Sequence, residues 1–173
     1  HCIANNTVAG TLEVAWFYET PSCNGTPPAI SSLPRSLGAT FLNGRDTSVN
    51  DFTLLMINGG LPGGVVWAGW TTAALASGEY VAGLHHPTGS FRRFSYGTIQ
   101  ETCWNANYHC VQWLLGVTEG GSSGSALFDL DHRVVGQLRG GGSSCATPQG
   151  IDDYGAFAVT YPLIASFLAG GTD

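Results

Sequence analysis

Glycine punctuates this chain so often that long regular elements are excluded. There are 25 glycines in 173 residues, roughly twice the usual ~7%. Gly59-Gly60, Pro62-Gly63-Gly64, Gly140-Gly141-Gly142 and Gly170-Gly171 cut the sequence into short apolar runs. Glycine tolerates backbone conformations that other residues resist, so such pairs mark tight turns. Short apolar runs at regular spacing, bounded by turn signals, predict an all-β barrel or sandwich. Thr11–Tyr18 alternates and reads as a strand. Further strands are expected over 39–42, 51–57, 65–70, 80–86, 91–99, 111–117, 126–128 and 133–138. Residues 19–37, with four prolines, read as a long loop. The last apolar stretch, 161–168, reads as the only helix, stopped by Gly170-Gly171.

The charge pattern narrows the function classes. Charged residues are 10% of the chain, against a typical ~25%. Net charge is −6, and all six basic residues are arginine. There is no basic patch to hold phosphates, so a nucleic-acid partner is not expected. No apolar run reaches the ~18 residues of a membrane-spanning helix. The five cysteines, Cys2, Cys23, Cys103, Cys110 and Cys145, form no CxxC pair. Zinc-ribbon and thioredoxin readings are therefore weak, and no cofactor or metal is expected. Scattered cysteines on a low-charge chain favour an oxidising, secreted setting. Cys103 and Cys110 flank a short span that a hairpin tip could close.

Gly121-Ser122-Ser123-Gly124-Ser125 carries the chemical signal. A nucleophilic serine needs an exposed hydroxyl beside backbone N–H groups that can hold an oxyanion, and flanking glycines let the chain fold that tightly. A flexible Gly/Ser loop has the same composition, but this segment lies between two expected strands. No helix follows it, so it is not a nucleophile elbow. A serine nucleophile also needs an imidazole and a carboxylate. Asp51 stands at the mouth of an apolar strand, and His1 opens the chain. Taken singly, Asp51 reads as a strand cap and His1 as an arbitrary first residue. Their order, His then Asp then Ser, is that of one of the triad arrangements found in proteases.

With these residues in view, the sequence resembles the chymotrypsin-like serine proteases, and among them the bacterial lysyl endopeptidase group. The resemblance rests on Thr118–Ala126, followed by Val134–Leu138 and Gly140-Gly141. It extends to Asp51–Leu55, Trp67-Ala68-Gly69-Trp70 and His85-His86-Pro87. It implies a double β-barrel with a short C-terminal helix, the first barrel over 1–87 and the second over 88–173, forming one protease domain. His1 would be the general base, Asp51 its orienting acid and Ser123 the nucleophile. The N–H groups of Gly121 and Ser123 would form the oxyanion hole. Asp152 would be the pocket acid for a basic side chain. Gly140 and Gly141 would offer a bare strand edge to an extended substrate. The implied function is a secreted bacterial endopeptidase, monomeric, that cuts proteins or peptides after a basic residue, lysine ahead of arginine.

Two departures and one disulfide pattern stand out. Arg139 replaces the family's histidine beside the strand edge, where it could pair with the specificity acid. Ala126 replaces a proline. The family's other bridges do not use Cys103 or Cys110, so these two are expected to bond to each other. By the same resemblance the partners of Cys2, Cys23 and Cys145 precede the catalytic histidine. The expectation is therefore that the first strands of barrel one precede His1, that this barrel is open and that the chain alone is inactive. His85 and His86 are expected to be structural.

Two rival readings follow from other chemistry. An N-terminal histidine with His86 or His109 could brace copper for an oxidoreductase, which leaves the Gly121–Ser125 loop and Asp51 without a role. A protease homologue that only binds would keep the fold and lose a triad residue, and none is missing here.

Overall fold

The computed structural model describes residues 1–168. The N-terminal half begins with a one-turn helix, α1 (Asn6–Gly10), whose N-cap Asn5 accepts a hydrogen bond from the Val8 amide. Strand β1 (Glu13–Ala15) pairs with β2 (Arg35–Leu37), and β3 (Ala39–Arg45) pairs with β4 (Phe52–Ile57). These are two separate two-stranded sheets, each antiparallel.

The second half closes on itself. Strands β5 (Tyr80–His85), β6 (Arg93–Ile99), β7 (Tyr108–Leu115), β8 (Ala126–Phe128), β9 (Val134–Gly141) and β10 (Ile151–Ala156) form a barrel in the order β10-β7-β6-β5-β8-β9. Alternation supplies its inner face: β5 buries Val81, Gly83 and His85, and β6 buries Ser95, Gly97 and Ile99. With Val111, Trp113, Leu127, Val135, Leu138 and Tyr154 these strands fill one core. The boundary expected after residue 87 falls inside this barrel. β5 precedes it, yet β5 is the strand that joins β6 to β8. The closed barrel therefore reaches back to Tyr80.

Helix α2 (Phe157–Leu168) follows β10 directly and carries Pro162 within it. It starts ahead of the helix read from 161–168, because the Phe157, Thr160 and Ile164 face is buried. Phe157 and Ile164 pack with Phe52 of β4 in a second core, so α2 spans both halves. The stop expected at Gly170-Gly171 lies outside the described residues. Among the described residues no helix is long and apolar enough to cross a membrane.

Polar contacts complete the joint between the halves. Asn50 is fully buried, and its amide donates to the Ala156 carbonyl and to Thr160 Oγ1, both at 2.9 Å. Gln137 of β9 donates to the Asn50 carbonyl at 3.0 Å. Gly155 must be glycine for this approach, since a Cβ there would stand 2.1 Å from the Asn50 oxygen. Asn107 and the Tyr108 hydroxyl donate to the carbonyls of Val49 and Thr47, each at 2.9 Å. The chain just before Asp51 is thus held by the barrel.

Other expectations need correction: the 161–168 stretch is not the only helix, since α1 precedes it, and the loop read over 19–37 ends in β2. The stretch read as a strand over 65–70 makes only a single bridge, Trp70 to Val134, and leaves Val66 and Trp67 exposed. Pairing at 11–18 is confined to three residues. β10 is a strand that the sequence did not disclose, because Asp152-Asp153 reads as a turn.

Candidate active site

Asp51 sits one residue before β4 with a left-handed φ of 48°, a conformation aspartate tolerates better than most residues. Its side chain is fully buried and accepts two hydrogen bonds from His1. The main-chain nitrogen of His1 lies 2.7 Å from Oδ1, and ring Nδ1 lies 2.5 Å from Oδ2. Two contacts to one carboxylate fix the ring's position. They assign the Nδ1 proton to the aspartate side and leave Nε2 as the free basic nitrogen. Thr53 of β4 also donates to the Ile3 carbonyl at 3.0 Å, seating the segment after His1.

Across the cleft, Ser123 lines a cavity of about 250 Å³ together with His1, Asp51, Leu55, Gly124 and Leu138. Among the described residues no hydrogen bond joins Ser123 to His1. Such contacts often tighten only with substrate bound. The loop that carries Ser123 lies between β7 and β8. Ser122 N–H donates to the Glu119 carbonyl at 3.0 Å, Gly124 N–H to the Leu138 carbonyl at 2.7 Å and Ser125 N–H to the Ser122 carbonyl at 3.1 Å. The N–H groups of Gly121 and Ser123 have no protein partner among the described residues. Gly121 has φ 92°, and a Cβ there would crowd the His86 carbonyl and the Thr88 nitrogen at 3.3 Å. Glycine is what this turn requires.

Asp152 of β10 is fully buried. Its Oδ2 accepts from Trp113 Nε1 at 2.6 Å, Thr118 Oγ1 at 2.7 Å and Ser143 Oγ at 2.6 Å, and its Oδ1 accepts from Ser143 N–H at 3.0 Å. All four partners are neutral, so the carboxylate is oriented but meets no cation. Arg139 does not take that place. It bonds Asp153 at 2.9 Å and lies over the Trp104 ring, 5.0 Å from its centroid. Burial pushes the Asp153 carboxyl up, while Trp104 and Arg139 pull it the other way. Arg139, Gly140, Gly141, Asp153 and His1 together line an open groove. β9 pairs with β10 through Gly141, while its pairing with β8 ends at Gln137, which leaves one edge free at Gly140 and Gly141.

The fold thus brings His1, Asp51 and Ser123 to one cavity and Arg139, Gly140 and Gly141 to an adjoining groove. Asp152 lies behind the loop that carries Ser123, tied to Thr118 at the start of that loop. Trp104 and Ser143 were not singled out from the sequence, and Thr118 was read only as the first residue of the Thr118–Ala126 motif, with no role of its own. Trp104 stands inside the Cys103–Cys110 span, which is a weak signal. Thr118 and Ser143 look like ordinary loop residues until the chain folds. Cys103 and Cys110 are joined in a disulfide, and Cys2, Cys23 and Cys145 are exposed thiols. Of the histidines in the copper reading, His86 contacts the Ser90 carbonyl and stacks on Tyr18, and His109 is half-buried in β7.

Comparison with known proteins bears on the family and the fold. Residues 1–155 match the family model of the lysyl endopeptidase C-terminal domain. A lysyl endopeptidase from Pseudomonas aeruginosa is 34% identical over 98% of this chain, and the match spans 39% of that protein's length. The chain thus covers well under half of that relative. Among solved structures, human heparin binding protein aligns with TM-score 0.66 at 20% identity, over 82% of this chain and 70% of that one. An HtrA-type protease, AlgW with a decapeptide, aligns with TM-score 0.62 at 18% identity, over 80% of this chain and 42% of that one. At such low identity these two speak for the chymotrypsin-like fold alone. On the match to its family model over most of its length, the chain belongs to the lysyl endopeptidase C-terminal domain family.

Proposed function

We propose that this domain is the catalytic part of a serine endopeptidase that cleaves after a basic residue, lysine ahead of arginine. The observation that carries the reading is a buried carboxylate holding an imidazole at the mouth of a cavity lined by Ser123, whose own amide and that of Gly121 have no protein partner among the described residues. In this mechanism Ser123 Oγ attacks the scissile carbonyl as His1 Nε2 takes its proton. Asp51 stabilises the resulting imidazolium through Nδ1–H. The N–H groups of Gly121 and Ser123 hold the oxyanion. Each such donor is worth about 2.7–4 kcal/mol in the transition state. The imidazolium then gives its proton to the leaving amine. Water, deprotonated by the same imidazole, releases the acyl group and restores Ser123.

Specificity follows from Asp152. A buried carboxylate with only neutral partners gains most from a cation, and a lysine side chain of the substrate supplies one. Arg139 is occupied by Asp153 and leaves that acid available. The extended substrate backbone pairs with the free edge at Gly140 and Gly141. The relative's name, lysyl endopeptidase, supports the same preference. The disulfide supports secretion into an oxidising space.

The test is labelling of the full chain with a fluorophosphonate probe, together with cleavage of a peptide library. Ser123 should take the label, and Ser123→Ala should abolish both label and turnover. Asp152→Asn should lower kcat/KM at lysine sites by about 10²–10³-fold, the cost of removing one partner of a buried charge pair. A protein that takes no label is a binding module on a protease frame. A library profile favouring large apolar residues would remove the role given to Asp152.

A further inference from the structure

Beneath the loop that carries Ser123 lies a histidine with no part in the chemistry above. His85 ends β5 and is 1% exposed. The alternation that turns Val81 and Gly83 inward turns His85 inward too. Its Nδ1 lies 3.0 Å from Ser122 Oγ, and its Nε2 lies 2.9 Å from Ser95 Oγ. Ser122 is equally buried, at 1%. It stands between Gly121 and Ser123, the two residues whose amides are unpaired.

Counting protons gives the network a direction. The Val117 carbonyl can only accept, so the Ser95 hydroxyl donates to it at 3.2 Å. Ser95 Oγ then accepts from His85 Nε2–H. His85 Nδ1, left without a proton, accepts from the Ser122 hydroxyl. Ser122 Oγ in turn accepts from Glu119 N–H at 3.3 Å. Every group is satisfied when the imidazole is neutral with its proton on Nε2.

We propose that His85 is a positioning residue, which accepts the Ser122 hydroxyl proton and so pins the Gly121-Ser122-Ser123 segment with both free amides turned to the substrate carbonyl. This rests on the protease reading given above. A second proton on His85 would place Nδ1–H against Ser122 Oγ, and the Ser122 hydroxyl would lose the acceptor it has. The segment would then have to reseat, and the oxyanion donors would move with it.

The surroundings keep that proton off. Burial lowers the His85 pKa below its ordinary 6.5, and His86 beside it and Arg93 on β6 act in the same direction. Asp152 on β10 opposes them. β8 contributes no titratable side chain. On the loop itself the Glu119 carboxylate is engaged by the Cys145 amide at 2.8 Å.

Kinetics and spectroscopy on the full chain test the assignment. His85→Leu removes both ring nitrogens, while His85→Asn keeps an acceptor near the Nδ1 position. His85→Leu should lower kcat by about 10²-fold, the scale expected when reacting groups are displaced by an ångström, and should leave KM within about threefold. His85→Asn should restore most of the lost kcat. A folded His85→Leu protein with wild-type kcat, or equal loss in both variants, overturns the proposal. Because either variant could misfold, ring ¹⁵N shifts of the unmutated protein give a second reading. His85 should show the Nε2–H tautomer at neutral pH, and the Gly121 and Ser123 amide signals should move with the midpoint of His85 in acid. Amide signals that ignore His85 overturn the proposal. An unmutated protein that neither labels nor turns over ends the protease reading, and the ¹⁵N measurement then decides the His85 coupling by itself.

Discussion

Between Tyr80 and Ala156 each strand has a neighbour on both sides, and the ring closes, with β9 unpaired on one side only at its Gly140-Gly141 end. Between Glu13 and Ile57 each strand has one neighbour. Yet both regions present side chains to the same cavity, Ser123 from one and His1 with Asp51 from the other. The barrel positions its loop by closure and a dense core. The N-terminal half positions Asp51 by contacts with the barrel: Asn50 to Ala156, Gln137 to Asn50, and Phe52 against Phe157 and Ile164. A sheet too small to hold a carboxylate in place by itself can do so when the neighbouring chain is anchored elsewhere.

The largest effect should come from the barrel core. Leu127 on β8 is fully buried. Leu127→Ala should cost about 2–5 kcal/mol of unfolding free energy, as transfer and cavity losses combine. Leu55→Ala on half-buried β4 should cost less than half of that. Equal losses in urea denaturation would mean that the two regions are equally packed, and the contrast would fail.

A buried amide at the joint comes next. Asn50→Ala removes the donor to Ala156 and Thr160 and the acceptor for Gln137, leaving polar groups unsatisfied in a buried site. The expected cost is about 1–3 kcal/mol. Because Asp51 follows directly, kcat should fall further than stability requires, at temperatures where the variant is still folded. A destabilised variant with normal kcat would show that Asp51 is held by its own strand.

Much of this contrast was legible in the sequence, and the unread part has a physical reason. Ala126–Phe128 and Tyr80–His85 could be read because an apolar or alternating run sits between turn residues. Gly121, Ser123 and Asp51 could be singled out because their chemistry is local: a turn, a hydroxyl, a strand mouth. β10 was hidden because Asp152 and Asp153 look like turn acids. Their partners stand on other segments, Ser143 and Arg139 9 and 14 positions away and Thr118 and Trp113 34 and 39, and only folding shows that a buried strand can carry them. The apolar stretch at 65–70 misled in the opposite sense, since Val66 and Trp67 are apolar and exposed. His85 looked merely structural, because both hydroxyls that give it a direction come from other elements.

Acid should separate the two regions. His85 and His109 both lie in the barrel, and burial holds both below the ordinary histidine value of 6.5. A histidine whose folded pKa is depressed binds its proton more readily unfolded. Its contribution is therefore complete above 6.5 and is lost as pH falls from there through the folded value. The only histidine of the N-terminal half is His1. Hydrogen exchange at pH 5 against pH 7, corrected for intrinsic rates, should show protection falling first in β5 and β7. Earlier loss in β3 and β4 would place the acid-sensitive groups outside the barrel.

The smallest effect is expected on the outermost sheet. Arg35 of β2 pairs with Glu13 of β1, and its other guanidinium nitrogen donates to the Ile30 carbonyl at 2.8 Å. Both side chains are open to water, 30% and 49% exposed. Water and salt screen such a pair, and holding two long side chains in one geometry costs entropy. Arg35→Ala should therefore change stability by no more than about 1 kcal/mol. Arg139→Ala is the matched control in the barrel. It leaves Asp153 partly buried without its cation and removes the contact with the Trp104 ring, so it should cost more. Raising salt should shrink the Arg35 effect and leave most of the Arg139 effect. If the two substitutions cost the same and respond alike to salt, then β1 and β2 unfold as one unit with the barrel, and the difference in edge pairing between the two regions has no energetic counterpart.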